Sequence, residues 1–167
     1  VLRQSVVVAT ASCPSEEPLS RSMRVLVTGC RGQLGTELML RLGRSDHEVV
    51  GVDLDKGAQT LDITDRVAVS DAVVALKPEV ILHGAAYTAV DRCESEPDTA
   101  FAVNALATRF LADGARRVGA HLVYVSTDYV FGGTKPSPYV EWDLPNPRSV
   151  YGASKLGGEL EVDSGWT

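Results

Sequence analysis

Arg24-Val-Leu-Val-Thr-Gly-Cys-Arg-Gly-Gln-Leu-Gly35 is the stretch from which the rest of this 167-residue chain is read. Arg24–Thr28 is a short apolar, β-branched run, the pattern of a strand buried on both faces. Gly29, Gly32 and Gly35 then form a turn, and the leucines at 34, 38 and 42 fall on one face of a helix that Gly43 is placed to stop. Strand, glycine turn and helix in that order make a phosphate site. The glycines let the backbone approach a pyrophosphate, and the helix N-terminus offers unpaired N–H groups and the positive end of its dipole. An ordinary tight strand-to-helix turn is the plain alternative, and the flanking pattern favours the phosphate reading.

Downstream, strands and helices alternate. Glu48–Asp53 reads as a second strand, followed by a loop through Gly57. Thr64 or Asp65 caps a helix running to about Leu76, which Pro78 ends. Glu79–His83 is a third strand, and Pro97 opens a long helix to about Val118 with apolar positions at Phe101, Leu106, Phe110 and Leu111. His121–Ser126 is the fourth strand. Thr127–Arg148, rich in Pro and Gly, reads as a long loop without a regular element, and loops of that length are usually functional. A last helix starts near Ser149. Strands separated by helices imply a doubly wound parallel sheet of the Rossmann type with right-handed crossovers.

Asp53 ends the second strand, 18 residues past Gly35. There a carboxylate accepts hydrogen bonds from an adenosine ribose and repels a 2′-phosphate, or serves as an ordinary turn aspartate. Arg31 and Lys56 lie close enough in sequence to welcome a 2′-phosphate instead, so the cofactor is NADPH or NADH. Gly84-Ala85-Ala86 follows the third strand with small side chains, which suit a ligand against the strand ends and equally suit close helix packing. Tyr151 and Lys155, at i and i+4, share a helix face. A free tyrosine is a poor acid at neutral pH, and a nearby ammonium favours its phenolate. Lys155 is placed to do that while bonding a nicotinamide ribose, and Thr127 to offer a hydroxyl to the same substrate oxygen.

A net charge of −6 and the lack of any Lys/Arg run exclude a nucleic-acid surface; Arg116-Arg117 reads as a solvated helix end. No apolar stretch is long enough to cross a bilayer. Cys13, Cys30 and Cys93 are odd in number and lack CxxC spacing, which suits free thiols in a cytoplasmic protein. The three histidines make no zinc pattern, and no metal is expected. In residues 1–22, Arg3, Val6–Ala9 and Ala11-Ser-Cys13 mimic a signal peptide whose apolar part is too short, so they read as a disordered leader before Met23. Residues 23–167 read as the cofactor domain.

Gly32-Gln-Leu-Gly35, Ala85-Ala-Tyr-Thr-Ala-Val-Asp91, Glu94-Ser-Glu-Pro97, Asn104, Ser126-Thr-Asp-Tyr-Val-Phe131 and Val150-Tyr-Gly-Ala-Ser-Lys155 resemble the extended short-chain dehydrogenase/reductases. Within them the match is to the branch that reduces the C4 ketone of dTDP-4-dehydro-L-rhamnose. The resemblance spans Met23 to about Glu161. It implies Thr127, Tyr151 and Lys155 as the catalytic trio, with Thr127 and Asp128 at a dTDP-linked sugar. It also implies cofactor contacts from Gln33, Leu34, Asp62, Ile63, Ala85, Ala86 and Tyr87 beside Gly29, Gly32, Gly35, Asp53, Tyr151 and Lys155. Glu37 matches a glutamate that in some members helps bind magnesium at a dimer interface, and a homodimer belongs to the full-length expectation. His83 stands where the family commonly has asparagine. Members run to nearly twice this length, so the expected fold is a Rossmann domain truncated before the substrate domain, with little activity by itself. Two alternatives stand beside the reductase: another nucleotide-sugar epimerase or dehydratase, and a non-catalytic NAD(P)-binding regulatory subunit, against which the intact Thr127, Tyr151 and Lys155 argue.

Overall fold

The structure, a computed structural model, describes residues 8–9, 21–54 and 57–163, save the side chains of 8, 9 and 163. Its sheet consists of β1 (Val8–Ala9), β2 (Arg24–Thr28), β3 (Glu48–Asp53), β4 (Gln59–Thr60), β5 (Val80–His83) and β6 (His121–Val125), in the order β1-β6-β5-β2-β3-β4. β2 to β6 are all parallel, and β1 pairs antiparallel with β6 through Val8–Val125 and Ala9–Tyr124. This is the expected Rossmann-type α/β sheet. Val8 and Ala9 of the expected disordered leader form β1 instead, while its residues 1–7 and 10–20, Cys13 included, and Lys56 lie outside the described residues.

α1 (Gln33–Leu42) connects β2 to β3, and α2 (Arg66–Leu76) connects β4 to β5. Between β5 and β6 run α3 (Val90–Ser95), α4 (Pro97–Phe101), a π-helical turn at Ala102–Leu106 and α5 (Ala107–Val118); α6 (Val150–Asp163) follows β6. Strand side chains alternate between two apolar layers, as the pleat requires. Val25, Val27, Val49, Val80 and Leu82 form one layer with Leu38, Met39 and Leu42 of α1. Leu26, Ile81, Leu122 and Tyr124 form the other with Val69 and Val73 of α2, Leu111 and Ala115 of α5 and Val162 of α6.

The helix ends follow local chemistry. Asp65 is the N-cap of α2, its carboxylate accepting from the Val67 and Ala68 amides at 2.9 and 3.0 Å. Gly119 ends α5 in the left-handed region, at φ 72°.

Four further features depart from the sequence reading. The loop through Gly57 contains β4, whose two residues carry too little pattern to register as a strand. That makes the expected third strand the fourth parallel one. α3 was not expected; Glu96, at φ −127° and ψ 51°, separates it from α4 because a following proline disfavours the helical region. The long helix does reach Val118, but its π turn holds an extra residue. Around it Phe101 and Leu106 are exposed, while Ala107 and Leu111 take the core. The loop after β6 contains a 3-10 turn, Asp128–Val130.

Candidate active site

The sheet order reverses at β2, with β3 on one side and β5 on the other. Ligands of open α/β sheets lie at such a switch point, beyond the carboxyl ends of the strands. A cleft of about 1220 Å³ opens there.

One wall is the glycine turn. Gly29 takes φ +69°, and a Cβ on it would meet the Ala85 backbone nitrogen at 2.7 Å. A Cβ on Gly35 would run into the Gly29 carbonyl oxygen, so this glycine sets how closely α1 approaches β2. Gly32 differs: its Cβ would meet only the Gly29 oxygen, at 3.2 Å. Gly32 is also the N-cap of α1, with no side chain bonded to the helix end. The first turn of α1 therefore presents its amides to the cleft, an arrangement that suits a pyrophosphate. Leu34 belongs to this wall too. It is exposed and lines the cleft rather than the core, which α1 reaches through Leu38, Met39 and Leu42.

Gln33, Asp53, Asp62, Ile63, Ala85 and Ala86 line the cleft with the glycines. Asp53 Oδ2 accepts from the Arg31 amide at 2.9 Å and Oδ1 from the Leu54 amide at 2.8 Å. Arg31 Nη1 reaches the Gly57 carbonyl at 3.5 Å, so its guanidinium lies beside the same corner. Tyr87 behaves otherwise: its hydroxyl donates to Glu96 at 2.6 Å, its amide to Asn104 Oδ1 at 2.8 Å, and it does not line the cleft.

The opposite wall holds Thr127, Asp128, Tyr151 and Lys155. Thr127 follows β6, and its hydroxyl accepts from the Tyr129 amide at 3.3 Å and donates to Asp128 Oδ1 at 3.2 Å. The Tyr129 ring meets Tyr151 edge to face, with centroids 5.5 Å apart. Burial pushes the Tyr151 phenol above its ordinary value, and a hydrogen bond with Thr127 pulls it back down. The expected lowering by Lys155 is not what this geometry produces. Lys155, 3% exposed, donates to the Val125 carbonyl at 2.6 Å and stands 4.0 Å from the centroid of the Tyr124 ring. Desolvation brings its ammonium down to about 8, with Glu159 opposing the fall.

Sequence reasoning missed two supports. Asn104, buried in the π turn, donates to Ser154 Oγ at 2.9 Å and to the Tyr87 carbonyl at 3.1 Å, joining α6 to the loop after β5. Its place in a quoted motif was the available signal. His83 is buried between Thr28 Oγ1 at 2.7 Å and Thr108 Oγ1 at 3.1 Å, which fits the end of β5 under the cleft floor. Among the described residues no group of His, Cys, Asp and Glu is placed to hold a metal, and no helix is long and apolar enough to cross a membrane.

Residues 23–166 match the family model described as RmlD substrate binding domain. The chain is 48% identical to a dTDP-4-dehydrorhamnose reductase of Streptomyces griseus, over 83% of this chain and 44% of that one. It is 39% identical to methionine adenosyltransferase 2 subunit beta of Rattus norvegicus, over 88% of this chain and 45% of that one. Among solved structures it resembles dTDP-4-dehydrorhamnose reductase of Bacillus anthracis in complex with NADP, at a TM-score of 0.81 and 41% identity, over 87% of this chain and 50% of that one. The chain thus spans about half the length of these relatives. By that match over Met23 to Trp166, carrying both walls of the cleft, the chain belongs to the RmlD substrate binding domain family.

Proposed function

We propose that this chain forms the cofactor half of an NAD(P)H-dependent reductase acting on the C4 ketone of dTDP-4-dehydro-L-rhamnose, the product being dTDP-L-rhamnose. The observation that carries the reading is that Thr127, Tyr151 and Lys155 line one cleft with the uncapped end of α1. The reductase of Bacillus anthracis was solved in complex with NADP, and the family match over residues 23–166 spans both walls.

The first-turn amides of α1 would hold the pyrophosphate, with Gly32 leaving the space, and Asp53 and Arg31 would flank the adenosine ribose. A reduced nicotinamide held there would supply the hydride that the carbonyl carbon takes up. Thr127 would fix the carbonyl oxygen, and Tyr151 would deliver its phenolic proton as that oxygen gains charge. Lys155, charged below about pH 8, would turn from the Val125 carbonyl to the ribose and stabilise the phenolate. Asp128, bonded to Thr127, would meet the sugar side of the cleft.

Fluorescence titration of the chain with NADPH and NADH tests the cofactor half of the reading. Turnover of dTDP-4-dehydro-L-rhamnose by a chain extended to the relatives' length tests the rest. The likeness to methionine adenosyltransferase 2 subunit beta favours a second reading, a non-catalytic NAD(P)-binding subunit. Cofactor binding without turnover in the extended chain would select it.

A further inference from the structure

Glu159 stands four residues past Lys155 and eight past Tyr151, so the three share one strip of α6. Ser126, directly after β6 and next to Thr127, donates its hydroxyl hydrogen bond to Glu159 Oε1. One residue earlier, the Val125 carbonyl accepts from Lys155. Two neighbouring positions at the end of β6 are thus bonded to two side chains one turn apart on α6. Thr127 extends from one partner of this junction, and Tyr151 and Lys155 from the other.

The junction is also electrostatic. Desolvation favours the neutral amine at Lys155, and the carboxylate that opposes it is Glu159. Other titratable groups lie on the elements around the same ammonium. His83 comes from β5, held neutral by burial with a value near 3. Tyr124 comes from β6, its phenol pushed up by burial, and Tyr151 from α6, pushed up by the same cause. All three are uncharged at neutral pH, which leaves Glu159 as the charged partner among these groups. On the outer side of α6, Glu161 faces Arg109 of α5 at 3.9 Å.

We propose that Glu159 is a positioning residue: it ties the helix bearing Tyr151 and Lys155 to the strand end bearing Thr127 and holds the charge on Lys155. This rests on the reductase reading of the cleft.

The test is lysine titration by NMR on the 167-residue chain labelled with ε-¹³C lysine, across the alkaline range. The sequence has four lysines, and Lys155→Arg identifies the resonance. The wild-type midpoint is expected near 8. Glu159→Gln keeps the size and an acceptor oxygen for Ser126 but loses the charge, and should lower the midpoint by about one pH unit. An unshifted midpoint in a cooperatively melting Gln variant overturns the proposal. A merely structural glutamate would change the melting temperature and leave the midpoint in place. Should Glu159→Gln not melt cooperatively, Glu159→Asp carries the test. Retaining the charge, it should keep the midpoint near the wild-type value, and a fall there would overturn the proposal too. NADPH titration of the wild type separates the two readings. Wild type that fails to bind defeats the cofactor site, whereas binding with an unshifted Gln midpoint defeats only the role of Glu159.

Discussion

Asp53 Oδ2 accepts the Arg31 amide at 2.9 Å, so the carboxylate at the end of the second strand braces the glycine turn it faces. The turn role and the ribose role, alternatives in sequence, are compatible in space: one oxygen holds the turn while the residue lines the cleft. The Arg31 side chain reaches the Gly57 carbonyl at 3.5 Å beside the same corner of the cleft.

Arg31→Ala should therefore discriminate between the two cofactors. Affinity for NADPH should fall by about tenfold, the loss of one charge-assisted contact to a phosphate, while NADH binding changes little. Parallel fluorescence titrations measure both. Equal losses for the two would remove Arg31 from the 2′-phosphate corner.

The glycines should separate by role. In Gly35→Ala the new methyl collides with the Gly29 backbone, so cooperative melting should be lost or shifted far down. In Gly32→Ala the methyl meets one oxygen at 3.2 Å and otherwise enters the cleft. That variant should melt close to the wild type and bind NADPH at least about tenfold more weakly. If Gly32→Ala bound NADPH normally, the pyrophosphate would not pass over this turn.

Tyr151→Phe removes the phenolic proton while keeping the ring against Tyr129. In the chain extended to the relatives' length, turnover should drop by roughly 10²–10⁴-fold with cofactor affinity little changed. Steady-state kinetics beside NADPH titration reads both quantities, and normal turnover would exclude Tyr151 as the proton donor.

His83 gives a pH prediction. Burial holds its folded-state value near 3 against an ordinary 6.5, so the unfolded chain takes up the proton first. Stability from this residue is complete above pH 6.5 and declines as pH falls toward 3, by up to about 1.4 kcal/mol per unit. Denaturant melts of wild type and His83→Asn across that window should show a shallower acid loss in the variant. Parallel slopes would mean that His83 binds its proton equally in the folded and unfolded chain, and that burial does not hold its value down.

Local signals carried far in this chain. Arg24–Gly35 specified strand, turn and helix because a buried strand, a left-handed glycine and a 3.6-residue period are all properties of adjacent residues. Spacing likewise put Tyr151 and Lys155 on one face of α6. β4 escaped notice because its two residues become a strand only by pairing with Val52 and Asp53. The π turn in the long helix escaped notice because its extra residue leaves no mark in composition.

The sequence by itself determined the alternation of the main strands and helices and the types of residue at the cleft, since periodicity and turn chemistry act over a few positions. Only the tertiary structure decided where Lys155 points. Its spacing from Tyr151 suggests a direct pair, yet the carbonyl of Val125 and the ring of Tyr124, 30 and 31 residues away in the chain, hold the ammonium against β6. Glu159 became visible for the same reason: its bond to Ser126 spans 33 residues and exists only because α6 packs across the end of β6. A buried charge answers to whatever the fold brings within a few ångströms, and sequence neighbours supply only part of that environment.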